Sequence, residues 1–167
     1  MAIAGGNDKT HPRRRRRRTP PGLDFEGLFH LFIENVRDYA VFILDPRGSP
    51  ITWNAGVQRM LGYDEDEFLG LDMRRIFRPD EQDQARRERE RAAATGRSED
   101  ERWHVRKDRS ELWVTGVLTA LRDADGRLRG FAKIMRDSTA LRHAELERDE
   151  LLRASCSRAA RRSRPTA

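Results

Sequence analysis

The stretch from Asp38 to Tyr63 constrains the fold more than any other part of the sequence. Tyr39 to Leu44 is apolar and β-prone, Asp45-Pro46-Arg47-Gly48 is a turn, and Ser49 to Trp53 returns as a second strand. Proline presets φ in such a turn and glycine tolerates positive φ. Asn54 then suits the N-cap of a short helix to Leu61, because its side-chain oxygen can take a free N–H of the first turn. Gly62 suits the C-terminal stop. Two strands that pass directly into short helices are an uncommon order.

The flanking sequence fits that opening. Phe25, Leu28, Phe29, Phe32, Ile33 and Val36 recur at helical spacing and predict an amphipathic helix. After Tyr63 the pattern predicts a short helix from Asp64 to Leu69, a single turn from Arg74 to Phe77, and a longer helix capped by Asp80 and running to about Thr95. Its acids, Glu81 and Asp83, come early and its arginines later, as the helix dipole prefers. Three strands follow, Glu99 to Lys107, Glu111 to Leu121 and Leu128 to Arg136, joined by Lys107-Asp108-Arg109-Ser110 and Asp123-Ala124-Asp125-Gly126. Asp137-Ser138-Thr139 caps a final helix predicted over residues 140–154. The predicted class is α+β, a five-stranded antiparallel sheet with short helices on one face and a helix at each end. A small-molecule pocket would lie between the helical block and the sheet.

Charge divides the chain. The formal total is +6, yet residues 25–152 hold 22 basic and 26 acidic side chains. The excess positive charge sits in residues 1–24, with Arg13 to Arg18, and in residues 153–167. Both ends read as disordered, the first an Arg-rich tail (1–24) and the second a basic tail (155–167). The arginine run could hold nucleic acid by counterion release, but no aromatic residues interleave with it to stack on bases. A single cysteine, Cys156, excludes an internal disulfide. No apolar run is long enough to span a bilayer, and no apolar segment follows the arginines as a secretory signal requires. A cytoplasmic location is expected. No nucleophile–base set, phosphate loop or metal-ligand cluster occurs, and His11, His30, His104 and His143 are scattered, so no enzyme activity is expected.

The order of elements, with Asp45-Pro46-Arg47-Gly48, Trp53-Asn54-Ala55, Gly62-Tyr63, Gly70, Arg106-Lys107-Asp108, Arg122-Asp123-Ala124-Asp125-Gly126, Gly130-Phe131 and Arg136-Asp137-Ser138-Thr139, resembles the PAS domain over residues 25–145. The resemblance implies a PAS sensor domain at 25–139 and a signalling helix at 140–154. It implies a sensing and dimerisation module of bacterial signalling proteins, acting on a two-component histidine kinase or a transcription regulator. Arg109 departs from the glycine common after Lys-Asp, and Asp108 is expected to take the positive-φ position. His143-Ala144-Glu145-Leu146 resembles a phospho-acceptor box only faintly, lacking Arg-Thr-Pro.

The resemblance also bears on cofactors, whose identity it leaves unknown. Residues 54–95 contain no cysteine, which excludes the flavin adduct of light-sensing relatives. Residues 80–95 contain no histidine, which argues against an axial haem ligand. Non-covalent flavin is disfavoured because His104 stands where flavin-binding relatives carry asparagine. Strand parity and the resemblance together place His104, Val114, Gly116, Leu118, Phe131, Lys133 and Met135 inside, and Trp103, Trp113, Val117 and Ile134 outside. Two readings of the interior compete. In one, His104 and Lys133 bind an anionic ligand beside the space left by Gly116. In the other, Lys133 pairs with Glu99 or Asp100 and side chains fill the pocket. Opposite parity would make Trp103 a core residue. The apolar outer face needs a cover, which the helix at 25–36 or a second subunit could supply. Asp137, Ser138 and Thr139 form the expected signal junction, and Leu141, Ala144, Leu151 and Leu152 approximate a heptad seam interrupted by Arg148.

Overall fold

The computed structural model describes residues 24–162, with side chains to residue 155. Residues 1–23 of the first tail, with Arg13 to Arg18, and residues 163–167 lie outside them. Asp24 opens α1 (Phe25–Asn35) by accepting from the Gly27 amide at 3.1 Å. Strand β1 (Tyr39–Leu44) turns Ala40, Phe42 and Leu44 inward.

The returning segment is not a strand, so among the described residues the sheet has four strands rather than the expected five, in the order β1-β4-β3-β2. Pro50 has no N–H to give. Thr52 Oγ1 takes the Ile43 amide at 2.8 Å, and Asn54 Oδ1 takes the Val41 amide at 3.0 Å. One bridge, Leu44 to Pro50, remains of the ladder, made by the bonds from Ile51 N to Ile43 O and from Asp45 N to Ser49 O, each 2.8 Å. Side chains here do what backbone groups do in a sheet.

Helices α2 (Ala55–Leu61) and α3 (Glu65–Phe68) follow as expected, the second with a reciprocal capping box between Asp64 and Glu67. Met73–Ile76 and Pro79–Glu81 are tight 3₁₀ turns. The long helix α4 (Gln84–Thr95) therefore begins later than Asp80, which the second turn absorbs. Strands β2 (Arg97–Val105), β3 (Glu111–Arg122) and β4 (Leu128–Asp137) form the meander. In the β2–β3 turn the left-handed residue is Arg109, at φ 71°, and not Asp108. Asp108 Oδ1 accepts from the Ser110 amide and hydroxyl, which holds it one position earlier in the turn.

Helix α5 runs from Thr139 to Arg162, past the expected end at Ala154 and into the segment read as a tail. Its first turns, rather than α1, cover part of the outer sheet face. Trp103 and Trp113 meet edge to face at 5.4 Å, His143 lies 6.2 Å from Trp103, and the Arg142 guanidinium sits 4.6 Å over Trp113. Helix α1 buries no residue, and Phe25 and Phe32 remain more than 60 % exposed. The core lies on the other face, where Phe42, Leu118, Phe131 and Met135 meet Val57, Leu61, Phe68 and Ile76. Each such side chain contributes about 1.5–3 kcal/mol on burial.

Candidate functional site

The period-2 alternation of β2, β3 and β4 decides what the interior contains. His104, Val114, Gly116, Leu118, Phe131, Lys133 and Met135 all point inward and are buried. Val114, Leu118, Phe131 and Met135 join the apolar core. The other three belong to a buried ionic network. Gly116 pairs with Asp100 across the β2–β3 ladder. A Cβ there would fall 2.4 Å from Asp100 Oδ1 and 3.1 Å from Lys133 Nζ. Glycine thus opens the sheet face for an ion pair.

Lys133 Nζ donates to Asp100 Oδ1 at 2.7 Å and to Glu88 Oε2 at 3.0 Å. All three side chains are at most 8 % exposed. Arg102 Nε stands 3.6 Å from Asp100 Oδ2 and 3.7 Å from Glu88 Oε1. His104 is fully buried, with Nε2 3.6 Å from Asp100 Oδ2 and its ring 4.9 Å from Phe77. Asp100 was one of the two partners expected for Lys133. Glu88 was missed, although Ala85, Glu88 and Ala92 form one helical stripe and are the buried residues of α4. A glutamate on an otherwise alanine face was the available signal.

Burial disfavours the charge of Glu88 and raises its pKa, with Lys133 pulling the other way. Burial opposes the charge of Asp100 too, but Lys133, His104 and Arg102 outweigh it and hold that carboxyl below its usual range. Burial pushes His104 from 6.5 down to about 4, against the attraction of Asp100. His104 is therefore neutral in the fold near pH 7. Between pH 6.5 and about 4 the unfolded chain binds more protons at this residue. Stability then falls as pH drops through that window, by up to about 1.4 kcal/mol per pH unit. Glu88 acts in the opposite sense just above its ordinary value, so the comparison with His104→Gln isolates the histidine. Urea midpoints from pH 7 to 4.5 should fall less steeply for His104→Gln than for the parent. Equal slopes would show that this imidazole is not held neutral.

The free space beside Glu88, Lys133, Phe42, Phe77 and Leu118 is about 20 Å³. That is the size of one water molecule, against roughly 300–1,000 Å³ for small-molecule pockets. Side chains fill the interior. The Lys133 ammonium, an anion ligand in one of the two competing readings and a partner of a local acid in the other, is shared by two carboxylates.

The junction to α5 is a second polar cluster. Asp137 Oδ1 accepts from the Thr139 amide at 2.9 Å and its hydroxyl at 2.5 Å, and Asp137 Oδ2 from Arg106 Nη2 at 2.8 Å. Partial burial opposes this charge, but Thr139 and Arg106 hold the carboxyl below its usual range. Thr139 Oγ1 accepts from the Trp113 amide at 2.9 Å, and the Ser138 amide donates to Trp113 O at 2.8 Å. Arg106 also donates to the Met60 carbonyl at the end of α2. The helix start is thereby tied to β3, β4 and α2 at once.

A model of the PAS domain matches residues 38–140. The chain belongs to the PAS domain family. Two-component system protein A of Emericella nidulans is 34 % identical over 119 residues, which are 70 % of this chain and 17 % of that protein. The chain thus spans about a sixth of the length of that relative. The crystal structure of the PAS domain of a Colwellia psychrerythraea protein superposes with a TM-score of 0.65 at 21 % identity, over 70 % of this chain and 99 % of that one. A domain of the sensory box sensor histidine kinase/response regulator from Geobacter sulfurreducens gives 0.57 at 25 % identity, over 67 % and 93 %. This PAS domain is related to those of two-component proteins, and no helix among the described residues is long and apolar enough to cross a membrane.

Proposed function

We propose that this PAS domain is a non-catalytic sensory module of a cytoplasmic two-component pathway. It works as a homodimer and passes a change in its sheet through α5 to a histidine kinase. The observation that carries this reading is the junction at Asp137 and Thr139. A helix that only covered the sheet would need apolar contacts, not a carboxylate shared between its first turn and Arg106. The relation to two-component proteins supports the output. The exposed apolar residues of α1 and α5, such as Phe29, Phe32, Leu151 and Leu152, support association between copies. The interior full of side chains favours docking and dimerisation over a cavity-bound cofactor.

Asp137→Ala tests the relay. Losing this cap and its partners costs about 1–2 kcal/mol. Hydrogen exchange should quicken at least tenfold at residues 138–142 while amides of β3 keep their protection. Sedimentation of the same samples reads the dimer, which should loosen in the variant. Unchanged exchange in the first turn of α5, with an unchanged dimer, would remove the junction from the mechanism.

A further inference from the structure

A cleft of about 520 Å³ opens on the surface beside the turn that follows β1, and no residue of the buried network lines it. Arg47 and Gly48 of the turn form one wall, Arg86 and Arg89 of α4 the other, and Gly70 and Arg74 border it between them. Four arginines thus face the cleft against two aspartates, Asp72 and Asp83. Residues 25–152 hold more acidic than basic side chains overall, so this is a local reversal of sign.

The four arginines are not equivalent. Arg74 is held bidentately by Asp72, Nη2 donating to Oδ2 at 2.6 Å and Nε to Oδ1 at 3.0 Å, and Arg86 pairs with Glu90 at 2.9 Å. Among the described residues, Arg47 and Arg89 reach no carboxylate within 4.0 Å. Asp45, in the same turn, spends Oδ1 on the amides of Arg47, Gly48 and Ser49 at 2.7–2.9 Å. Arg89 is also positioned. Its Nη1 donates to the Ala85 carbonyl at 3.0 Å, and its guanidinium carbon lies 2.5 Å from where a Cβ of residue 48 would stand. Gly48, at φ 96°, is what lets the guanidinium lie against the turn. The Nε and Nη2 edge of Arg89 has no protein acceptor among the described residues. That edge is the fork that grips two oxygens of a carboxylate or phosphate.

We propose that this cleft binds a compact polyanion, a small molecule carrying two neighbouring phosphate or carboxylate groups, gripped by Arg47 and Arg89. Arg74 and Arg86 are each paired with a carboxylate, which leaves Arg47 and Arg89 to supply the charge and the forks. The volume is that of a small-molecule site, and the ligand would neutralise two like charges brought together from separate elements. Its occupancy joins the turn after β1 to α4, the helix whose Glu88 enters the buried network. The inference stands on the cleft alone, whatever the output of α5.

The test uses the full chain and its amide nitrogen–proton spectrum, titrated with inorganic pyrophosphate, citrate and, at matched ionic strength, chloride. The Arg-rich tail also attracts polyanions, so location decides the outcome. Gly48 and Gly70 are the reporters. Saturable shifts at both with pyrophosphate or citrate, weakened at least tenfold in Arg47→Gln/Arg89→Gln, support the site, and the tighter probe names the anion class. Arg47→Gln alone, which removes no protein ion pair, should weaken binding while leaving the rest of the spectrum in place. Shifts confined to tail amides, shifts equal in chloride, or shifts unchanged in these variants overturn it.

Discussion

Lys133→Met should lower the stability of the domain by about 3–5 kcal/mol, the cost of removing one partner from a buried charge pair. Methionine keeps the length and apolar stem of the side chain, so little packing is lost. What is lost is the ammonium between Asp100 and Glu88, at 2.7 and 3.0 Å. The remaining cation, Arg102, is no closer than 3.6 Å to either carboxylate. Glu88, already raised by burial, then rises further. A carboxyl raised in the fold contributes stability below its unfolded value and loses it as pH climbs through the folded value. The variant should therefore be most deficient at neutral pH and recover part of the loss towards acid. Lys133→Met/Glu88→Gln removes one stranded charge and should recover part of it at pH 7. Urea midpoints at constant m-value read both effects. A loss under about 1 kcal/mol, the level of an exposed pair, would show that water reaches the lysine and that the network does not anchor α4.

The anchoring matters because α4 offers the sheet little else. Its buried residues are Ala85, Glu88 and Ala92, two of them with a single methyl group. In this helix the ion pair carries the docking that leucines carry elsewhere. Among the described residues, Glu88 Oε1, Asp100 Oδ2, Arg102 Nε and His104 Nε2 have no hydrogen-bond partner. A partly satisfied polar network is sensitive to small displacements in a low-dielectric interior. That gives movement of α4 a route into β2, β3 and β4.

Both faces of the meander carry apolar residues, so the period of two left either parity open, and the resemblance chose the one that the structure has. Lys133 and His104 followed from that register, and so did the outward placement of Trp103 and Trp113. The returning strand was not legible as a loop. Pro50, Thr52 and Asn54 are each compatible with a strand edge, and only coordinates show that two of their side chains take the ladder's donors. Glu88 was hidden because α4 reads as a charged, solvated helix until the lysine facing it is located. The cover over Trp103 and Trp113 was expected from the helix at 25–36 or from a second subunit, on hydrophobicity alone. Aromatic and cation–π contacts let the polar helix α5 supply it instead.

Asn54→Leu should cost about 3–5 kcal/mol, and most of the damage should fall on α1. Read as a sequence, Asn54 is a helix cap, a contribution near 1 kcal/mol. The structure gives it more partners. Its Oδ1 accepts from the Val41 amide at 3.0 Å and the Val57 amide at 3.2 Å, joining β1 to α2. Its Nδ2 donates towards Val36 O at 2.8 Å, Tyr39 O at 3.0 Å and Ile33 O at 3.3 Å. Asn54 is fully buried, so each donor or acceptor stranded beside it adds about 1–3 kcal/mol where water cannot replace the lost bond. The amide group thus tethers the end of α1, a helix that buries none of its own residues. Leucine fills the volume and ends every one of these bonds. Asn54→Asp separates the two halves of the role, because it keeps the acceptor towards Val41 and Val57 but turns oxygen against the carbonyls of Val36 and Tyr39. Hydrogen exchange should show α1 released in both variants, and α2 loosened only in Asn54→Leu. If α1 kept its protection in both, its apolar contacts would be holding it, and Asn54 would be reduced to the cap that the sequence shows.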